Sequence, residues 1–584
     1  MAASLDGIPL NEVSHVHGEG YLDLHFLIPE TLSGIRTLKG PYDARCGDHS
    51  SAGVIDFLPY TRRPWNGSVT LGAGTNPAGE VLLQGSGRWL GMDTLAAVHV
   101  DHDEGFTDPG RMTAARALLH HVVPLGPGTE LRLLYAGYGA RSEASDILPL
   151  SWVEDGRIDR FGAIDRTNKV DADRHLAGLT FEGRRGPLRG RLQGYYNWKR
   201  TDIFSNYTFW ALDPENGDQH RQYDQRHYGG LQGWLRHDAR RRDLRFRTEV
   251  GLQTRLDVVA QRQDQTTARH LVNPVNRYGF TETALGLYLD ERMTLAPWVR
   301  VILGVRADAI LYNGNGRQDR LGAFDIYTNT TPLIEDDPIR LDARAWAISP
   351  KASLVFTPLP DWNLFVNFGR GFVSAEARQL AFNPDDTIPV VNGGEVGTRA
   401  AFWGGRVNVA LAAWAAHKES EAVFDSEVGA SIPRGQSLRL GADLELRVTP
   451  RPWLVLATDL YWVRGRFLGG GGPIPNMAEW FMTNVLSLRH PGGARLTLRG
   501  RLLGPRPLDL GYLSPAYYVL DVQVGWQHGP WEVSVAVENL LGATWYDSVY
   551  AYSSRPLQGG EIVEGPHVTP GHPTLATMRL GVSF

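Results

Sequence analysis

The chain has 584 residues, with 59 lysines and arginines against 64 aspartates and glutamates, a net charge of −5 and a single cysteine, Cys46. That balance gives no case for nucleic acid as a partner, and one cysteine excludes both an internal disulfide and a cysteine-rich zinc site. The longest apolar run, 409–416, falls far short of the roughly 18 residues a spanning helix requires, so transmembrane helices are excluded.

Glycine (66), tryptophan (17) and tyrosine (21) are plentiful. They suit strands joined by many turns and aromatic girdles at membrane interfaces, a composition that a secreted glycan-binding protein would share. At the start, Met1-Ala2-Ala3-Ser4 runs straight into Leu5-Asp6-Gly7-Ile8-Pro9 with no basic segment and no apolar stretch, so no secretory signal is present. The expectation is a trimmed mature chain or a start that lies further upstream.

From Ser4 to Phe57 the pattern is mixed. It predicts short strands near Leu5, Ile35 and Val54, a helical turn from Pro29 to Leu32, and glycines at tight turns: a small α/β segment. From about Ser68 a strand code takes over. Val69 to Gly74 with Glu80 to Arg88, Leu118 to Val123 with Leu131 to Tyr138, Ala177 to Phe181 with Leu188 to Trp198, and Leu231 to His237 with Leu244 to Arg255 read as successive hairpins. Short turns rich in glycine, proline or arginine alternate with long polar segments at 143–175, 201–228, 261–282, 313–344, 371–397 and 418–437. Short turns on one rim and long loops on the other are the habit of a transmembrane barrel, and neither a soluble sandwich nor a propeller has a reason to keep it.

The code is clearest near the end of the chain. Leu520, Val522, Val524 and Trp526 share one face and Asp521, Gln523, Gly525 and Gln527 the other; after His528-Gly529-Pro530, Trp531, Val533, Val535 and Val537 repeat the apolar face. The chain closes on Ala576, Met578, Leu580, Val582 and the terminal Phe584, alternating with polar or small residues. One such hairpin cannot tell lipid from a soluble core, because a sandwich also alternates. Their number decides for a membrane barrel.

Five arginines add to that decision. Arg495, Arg499 and Arg501 share a strand face opposite Leu496, Leu498 and Leu502, and Arg245 and Arg247 flank Phe246. Facing lipid, each would cost about 2–4 kcal/mol at the midplane, so they are assigned to the lumen, in contact with acidic residues of the N-terminal domain or in water.

The N-terminal order of Asp6-Gly7 and Pro9, then Ile35-Arg36-Thr37-Leu38-Lys39-Gly40-Pro41, then Gly47 and Ala52-Gly53-Val54-Ile55, resembles the second half of the plug domain of TonB-dependent outer-membrane receptors. Further along, Gly304-Val305-Arg306-Ala307-Asp308, Ile348-Ser349-Pro350-Lys351, Phe365 to Phe372, a looser match at Asn392 to Arg399, and Val537 to Tyr546 are similar to barrel signatures of the same family, in the right order.

The resemblance implies an all-β membrane protein of the outer membrane, an antiparallel transmembrane β-barrel of about 22 strands over 68–584 with a partial α/β plug at 1–67. It also implies a function: uptake of a scarce ligand such as a ferric siderophore, a cobalamin or an oligosaccharide, energised by TonB. The family's plug apex, carried over, places Asn11, His15, His17, Glu19 and Tyr21 near the ligand. His15, His17 and His25 beside Glu19 invite a metal, but no fourth ligand is identifiable, and a plain polar loop is the reading.

The family's plug begins upstream with a signal peptide, a TonB-contacting box and further strands. The chain as written offers no evident way to engage TonB and is expected to be a fragment, a late start or a plug-truncated barrel. The alternative function is a barrel that does not transport, acting as a pore or as a surface-binding or adhesion protein. No hydrolase elbow, zincin helix, Walker loop or dinucleotide fingerprint occurs, so neither catalysis nor a cofactor is expected. Asp385-Asp386 and Glu335-Asp336-Asp337 read as loop charges. Neither the ligand's identity nor the oligomeric state can be read from the chain.

Overall fold

The structure, a computed structural model, describes residues 1–318, 337–382, 388–425 and 430–584. It opens on a four-stranded mixed sheet. Strand β1 (Ala2–Leu5) turns through Asp6 and Gly7 into antiparallel β2 (Ile8–Pro9). Both turn residues have positive φ, 46° and 81°, the geometry that an Asp-Gly pair supplies. The chain then makes a long excursion before β3 (Leu32–Lys39) and β4 (Gly53–Pro59), which pair antiparallel, and β4 returns alongside β1 in parallel.

The three strands expected near Leu5, Ile35 and Val54 are therefore neighbours in one sheet, in the order β2-β1-β4-β3. The helical turn is present at Pro29–Thr31. Leu5, Ile8, Leu10, Phe26, Ile28 and Phe57 are buried against Leu82, Leu95, Leu118, Leu134 and Leu176 of the surrounding wall. Among the described residues, this is the extended apolar core between the two parts.

That wall is a closed antiparallel barrel of 22 strands. It begins with β5 (Gly67–Gly74) and ends with the strand Leu575–Ser583, and these two pair with each other from Ser68 opposite Ser583 to Gly74 opposite Thr577. Closure leaves no strand edge unpaired, the condition for a sheet in a medium that cannot hydrogen-bond backbone groups.

Side-chain alternation runs in the sense that distinguishes such a barrel from a sandwich. On the strand Leu244–Thr267, Val250, Leu252, Leu256 and Val258 are 41–48% exposed on the outside, while Glu249, Asp257, Gln261 and Gln263 are buried on the inside. Polar residues inside and apolar residues outside fix the surroundings of the barrel as hydrocarbon.

At one rim the strands are joined by turns of two to four residues, at 90–91, 127–128, 186–187, 242–243, 297–298, 360–361, 403–406, 452–453, 490–493 and 529–530. Trp89, Trp298, Trp362, Trp453, Trp526 and Trp531 stand exposed next to these turns and form an interfacial belt. The other rim carries long connections. One of them, 539–574, folds into the hairpin Tyr546–Ser554 and Val563–Pro570, and Leu148–Pro149 adds to its edge to make a three-stranded sheet above the barrel.

Two connections differ from the sequence reading. The polar segment 261–282, expected as a loop, is continuous strand: Leu244–Thr267 and His270–Ala296 meet in the two-residue turn Ala268-Arg269. The strands have 24 and 27 residues against the ~9–11 needed to cross a bilayer. Beyond the hydrocarbon both faces are polar, so the ladder continues after the alternation has vanished. At the other rim, strand reaches His528, and Gly529-Pro530 alone make the turn. Of the expected loop charges, Glu335, Asp336, Asp385 and Asp386 lie outside the described residues.

Candidate functional site

The excursion between β2 and β3, residues 10–31, rises inside the barrel as an apex loop. It is held in shape by a bridge between Glu12 and Tyr21, with Glu12 N donating to Tyr21 O at 2.9 Å, and by Gly18 N donating to His15 O at 3.0 Å. With almost no secondary structure, its carbonyls need donors from elsewhere, and barrel side chains supply them. Arg174 Nη1 donates to Asp23 O at 3.0 Å, Arg226 Nη1 to Val13 O at 2.6 Å, and Arg255 Nη1 to Asn11 O at 2.9 Å; Gln261 Nε2 donates to Ser14 O.

Glu12, fully buried, is the electrostatic centre of this contact. Its Oε1 accepts from Arg174 Nη2 at 3.1 Å and from Lys199 Nζ, and Arg226 Nε lies 3.6 Å from its Oε2. Arg226 is in turn held by Asp224 through two bonds of 2.7 and 2.6 Å. Four of the cationic side chains around the loop thus have a carboxylate partner: Arg174 and Lys199 with Glu12, Arg226 with Asp224, and Arg255 with Asp257 at 2.6 Å. Buried charges without partners would cost several kcal/mol each.

A segment of the outer rim closes onto the apex from above. It contains the short helix Ala377–Phe382. Arg378 donates to the carbonyls of His15 at 3.1 Å and Val16 at 3.2 Å, and Ala377 N donates to Ser14 Oγ at 2.9 Å. Ser374 donates through its N to Asp48 Oδ1 at 2.7 Å and through its Oγ to Glu19 Oε1 at 3.2 Å.

The structure places the five apex residues as follows. Asn11 is buried and ties the loop to the sheet, accepting from Ala3 N at 2.7 Å and donating to Met1 O and Gly20 O. His15 is fully buried and stacks on Tyr21 with ring centroids 4.2 Å apart. His17, half-buried, meets Gln222 Oε1 at 2.9 Å, Glu19 accepts from Ser14 N at 2.7 Å, and Lys199 sits 4.6 Å over the Tyr21 ring. His25 stands apart from the other two histidines, beside Asp23. Burial lowers the pKa of His15 well below the ordinary histidine value and lowers that of His17 in the same sense.

Glu12, His15 and Asp224 bring three ligand atoms within 4.8 Å of one another. The donor set nevertheless fits an ion-pair network rather than a metal. His17 N donates to His15 Nδ1 at 3.1 Å, which assigns the ring proton to Nε2 and turns that proton toward Glu12 Oε2, 3.7 Å away. A metal on Nε2 would push the proton onto Nδ1, against the His17 N–H, and would compete with Arg226 and Lys199 for both carboxylates.

Of the arginines assigned to the lumen, Arg499 and Arg501 contact Asp521 at 2.8 and 3.2 Å, and Arg495 pairs with Glu532. Their carboxylate partners thus belong to neighbouring barrel strands. Arg247 pairs with Asp238 at 2.8 Å, and with Arg245, Arg240, Arg292 and Arg300 it lines a cavity of about 550 Å³ at the short-turn rim. Reading the sequence missed Glu12, Arg174, Lys199, Arg226 and Arg378. Only the alternation on their strands could have pointed to the three barrel residues of the inner wall among them.

A 22-stranded barrel with polar residues inside, a mixed sheet folded into its lumen and an apex loop roofed by the outer rim defines an outer-membrane receptor of the plugged-barrel class. The family model for the TonB-dependent receptor-like β-barrel matches residues 122–540, and the chain belongs to that family. Its fold is similar to that of the ferric citrate transporter FecA in the unliganded form, with a TM-score of 0.79, 14% identity and coverage of 100% of this chain and 88% of that one. It is also similar to the siderophore receptor PiuA from Acinetobacter baumannii, at 0.79, 13%, 100% and 89%, and to the closed form of the ferric-catecholate import receptor Fiu from E. coli K12, at 0.80, 12%, 100% and 89%. No curated protein matches the chain by sequence. The protein is an outer-membrane protein, and its family and fold are those of receptors and transporters.

Proposed function

We propose that this protein imports a ferric siderophore across the outer membrane, using energy delivered through TonB. The observation that carries the reading is the apex loop itself: a segment with little secondary structure, held in the lumen by barrel cations, with His17, Glu19 and Tyr21 half-buried and a rim segment that contacts Glu19 and the carbonyls of His15 and Val16. Such a place is reached from outside when the rim segment moves and is closed from below by the sheet. Siderophore receptors among the structural neighbours support the iron-chelate class over cobalamin or oligosaccharide.

In this reading Asn11 and His15 position the apex, and His17, Glu19 and Tyr21 offer it to the ligand. The arginines at 245, 247, 495, 499 and 501 line the lumen. The test is binding of iron-55 hydroxamate, catecholate and citrate chelates to the purified protein in detergent. Saturable binding of one class, weakened at least tenfold by Tyr21→Ala, supports the proposal; equal retention of all three chelates, unaffected by the variant, contradicts it.

A further inference from the structure

The arginines around the cavity at the short-turn rim stand in two rows that cross four neighbouring strands, His220–Arg241, Leu244–Thr267, His270–Ala296 and Val299–Gln318. In the row nearer the turns, Arg240 lies opposite Arg245, Arg245 opposite Thr294, and Thr294 opposite Arg300. In the next row Asp238 lies opposite Arg247, and Arg247 opposite Arg292. Residues directly opposite, or two apart on one strand, share a face. Glu249, two beyond Arg247, is buried on the inside, so both rows face the lumen.

This is an unfavourable way to place charge. Arg240 directly opposes Arg245, as Arg247 opposes Arg292, and like charges so placed destabilise a sheet. The row further from the turns carries its own remedy: Arg247 meets Asp238 at 2.8 Å, and Arg292 meets Asp290 at 2.6 Å and the plug's Asp43 at 3.4 Å. The row nearer the turns has none. Among the described residues neither Arg240, Arg245 nor Arg300 has a carboxylate within 4 Å, and Arg240 Nε donates instead to the carbonyl of Arg242 at 3.1 Å. Elsewhere on the wall Arg495, Arg499 and Arg501 each have an acid, so the uncompensated row is particular to this place. Beside it lies about 550 Å³ of open space, within the roughly 300–1,000 Å³ of small-molecule sites.

We propose that this cavity binds a soluble molecule carrying two or more phosphate groups, held by Arg240, Arg245 and Arg300. Guanidinium chemistry selects the ligand. Each planar fork gives two bonds to one oxyanion. A phosphate group has three acceptor oxygens and nearly two charges, so one group takes the forks of Arg240 and Arg245 together, whereas a planar carboxylate fills one fork. Arg300 stands two strands beyond Arg245, roughly 10 Å away at about 4.8 Å per strand, a separation that suits a second phosphate better than a single ion. Thr294, between them, adds a hydroxyl donor. Short turns mark the periplasmic rim of such a barrel. Because the rows face the lumen, lipid head groups lie on the other side of the wall, and the ligand comes from the periplasmic solution.

The experiment uses the whole chain in an uncharged detergent, with a chelator to remove metal ions and about 0.15 M salt to screen dispersed surface charge. It is titrated calorimetrically with sodium pyrophosphate and with citrate, a carboxylate anion of similar charge. The expected result is one pyrophosphate per chain, bound at least tenfold more tightly than citrate. Arg245→Gln and Arg300→Gln should each weaken it tenfold or more, and Arg88→Gln, an exposed arginine beside the turn 90–91 of the same rim, should leave it unchanged. Broadening of the pyrophosphate phosphorus resonance by the unaltered protein gives a second readout that needs no variant. The absence of stoichiometric binding, equal affinity for citrate, or indifference to Arg245→Gln and Arg300→Gln each overturns the proposal. So does pyrophosphate binding that persists in vesicles of zwitterionic phospholipid and vanishes in anionic ones, which would assign these arginines to head groups.

Discussion

The inner wall of the barrel has two halves that handle charge in opposite ways. Across the strands from 169 to 318 the inward residues meet the plug, and Arg174, Lys199, Arg226 and Asp257 are almost wholly buried. Across the strands from 437 to 538 the inward arginines pair with their own wall, and the side chains of Arg499 and Arg501 are 49% and 33% exposed. The first arrangement is specific, because a buried charge without its partner is expensive. The second is permissive, because water takes over when a pair breaks. The fully buried ion pairs that hold the plug therefore lie on one side; on the other the plug meets the wall through the more exposed Lys39, which pairs with Asp443 at 3.1 Å and Glu445 at 2.6 Å.

That comparison is broken most directly at Glu12. Glu12→Ala removes the carboxylate shared by Arg174 and Lys199, and it should destabilise the docked plug by about 3–5 kcal/mol. Proteolysis within residues 1–60, with the barrel intact on heat-shift electrophoresis, is the expected readout. Next comes the outer face of the same half: Leu252→Arg puts a charge in lipid and should cost about 2–4 kcal/mol of barrel stability in urea titrations. Arg378→Ala removes two bonds from a charged donor to the apex carbonyls, about 1.5–3 kcal/mol. Residues 373–382 should then exchange amide hydrogens roughly tenfold or more faster.

A pH series sharpens the same point. Burial holds His15 neutral in the fold, whereas in the unfolded chain it takes up a proton near pH 6.5. The unfolded state then binds more protons, so stability present above pH 6.5 falls as the pH drops below it. His17 acts in the same direction and His49 in the opposite one. His15→Gln should therefore flatten the loss between pH 7.5 and 5.5 in urea midpoints. The smallest effect belongs to the permissive half: Arg499→Ala should change stability by about 0.2–1 kcal/mol.

Much of this architecture was legible in the sequence. The alternation at 520–526 and 531–537 marks a two-faced hairpin, and the rhythm of short and long connections marks a membrane barrel. The strands near Leu5, Ile35 and Val54 were visible as well. What was not legible is whatever depends on distant partners. The polar stretch 261–282 reads as loop because strand above the membrane carries no alternation. Glu12 looks like any loop acid, since Arg174, Lys199 and Arg226 stand 162, 187 and 214 residues further along. Asp48 and His49 look like turn residues after Cys46-Gly47 until the fold brings Glu19 beside them.

The central claim is that this barrel moves an iron chelate when TonB drives it. The direct measurement is uptake of the iron-55 chelate that binds best, in cells expressing the protein from its genomic reading frame, with TonB present or deleted. The account predicts accumulation that depends on TonB and falls at least tenfold in the deletion strain. Equal accumulation in both strains would contradict it.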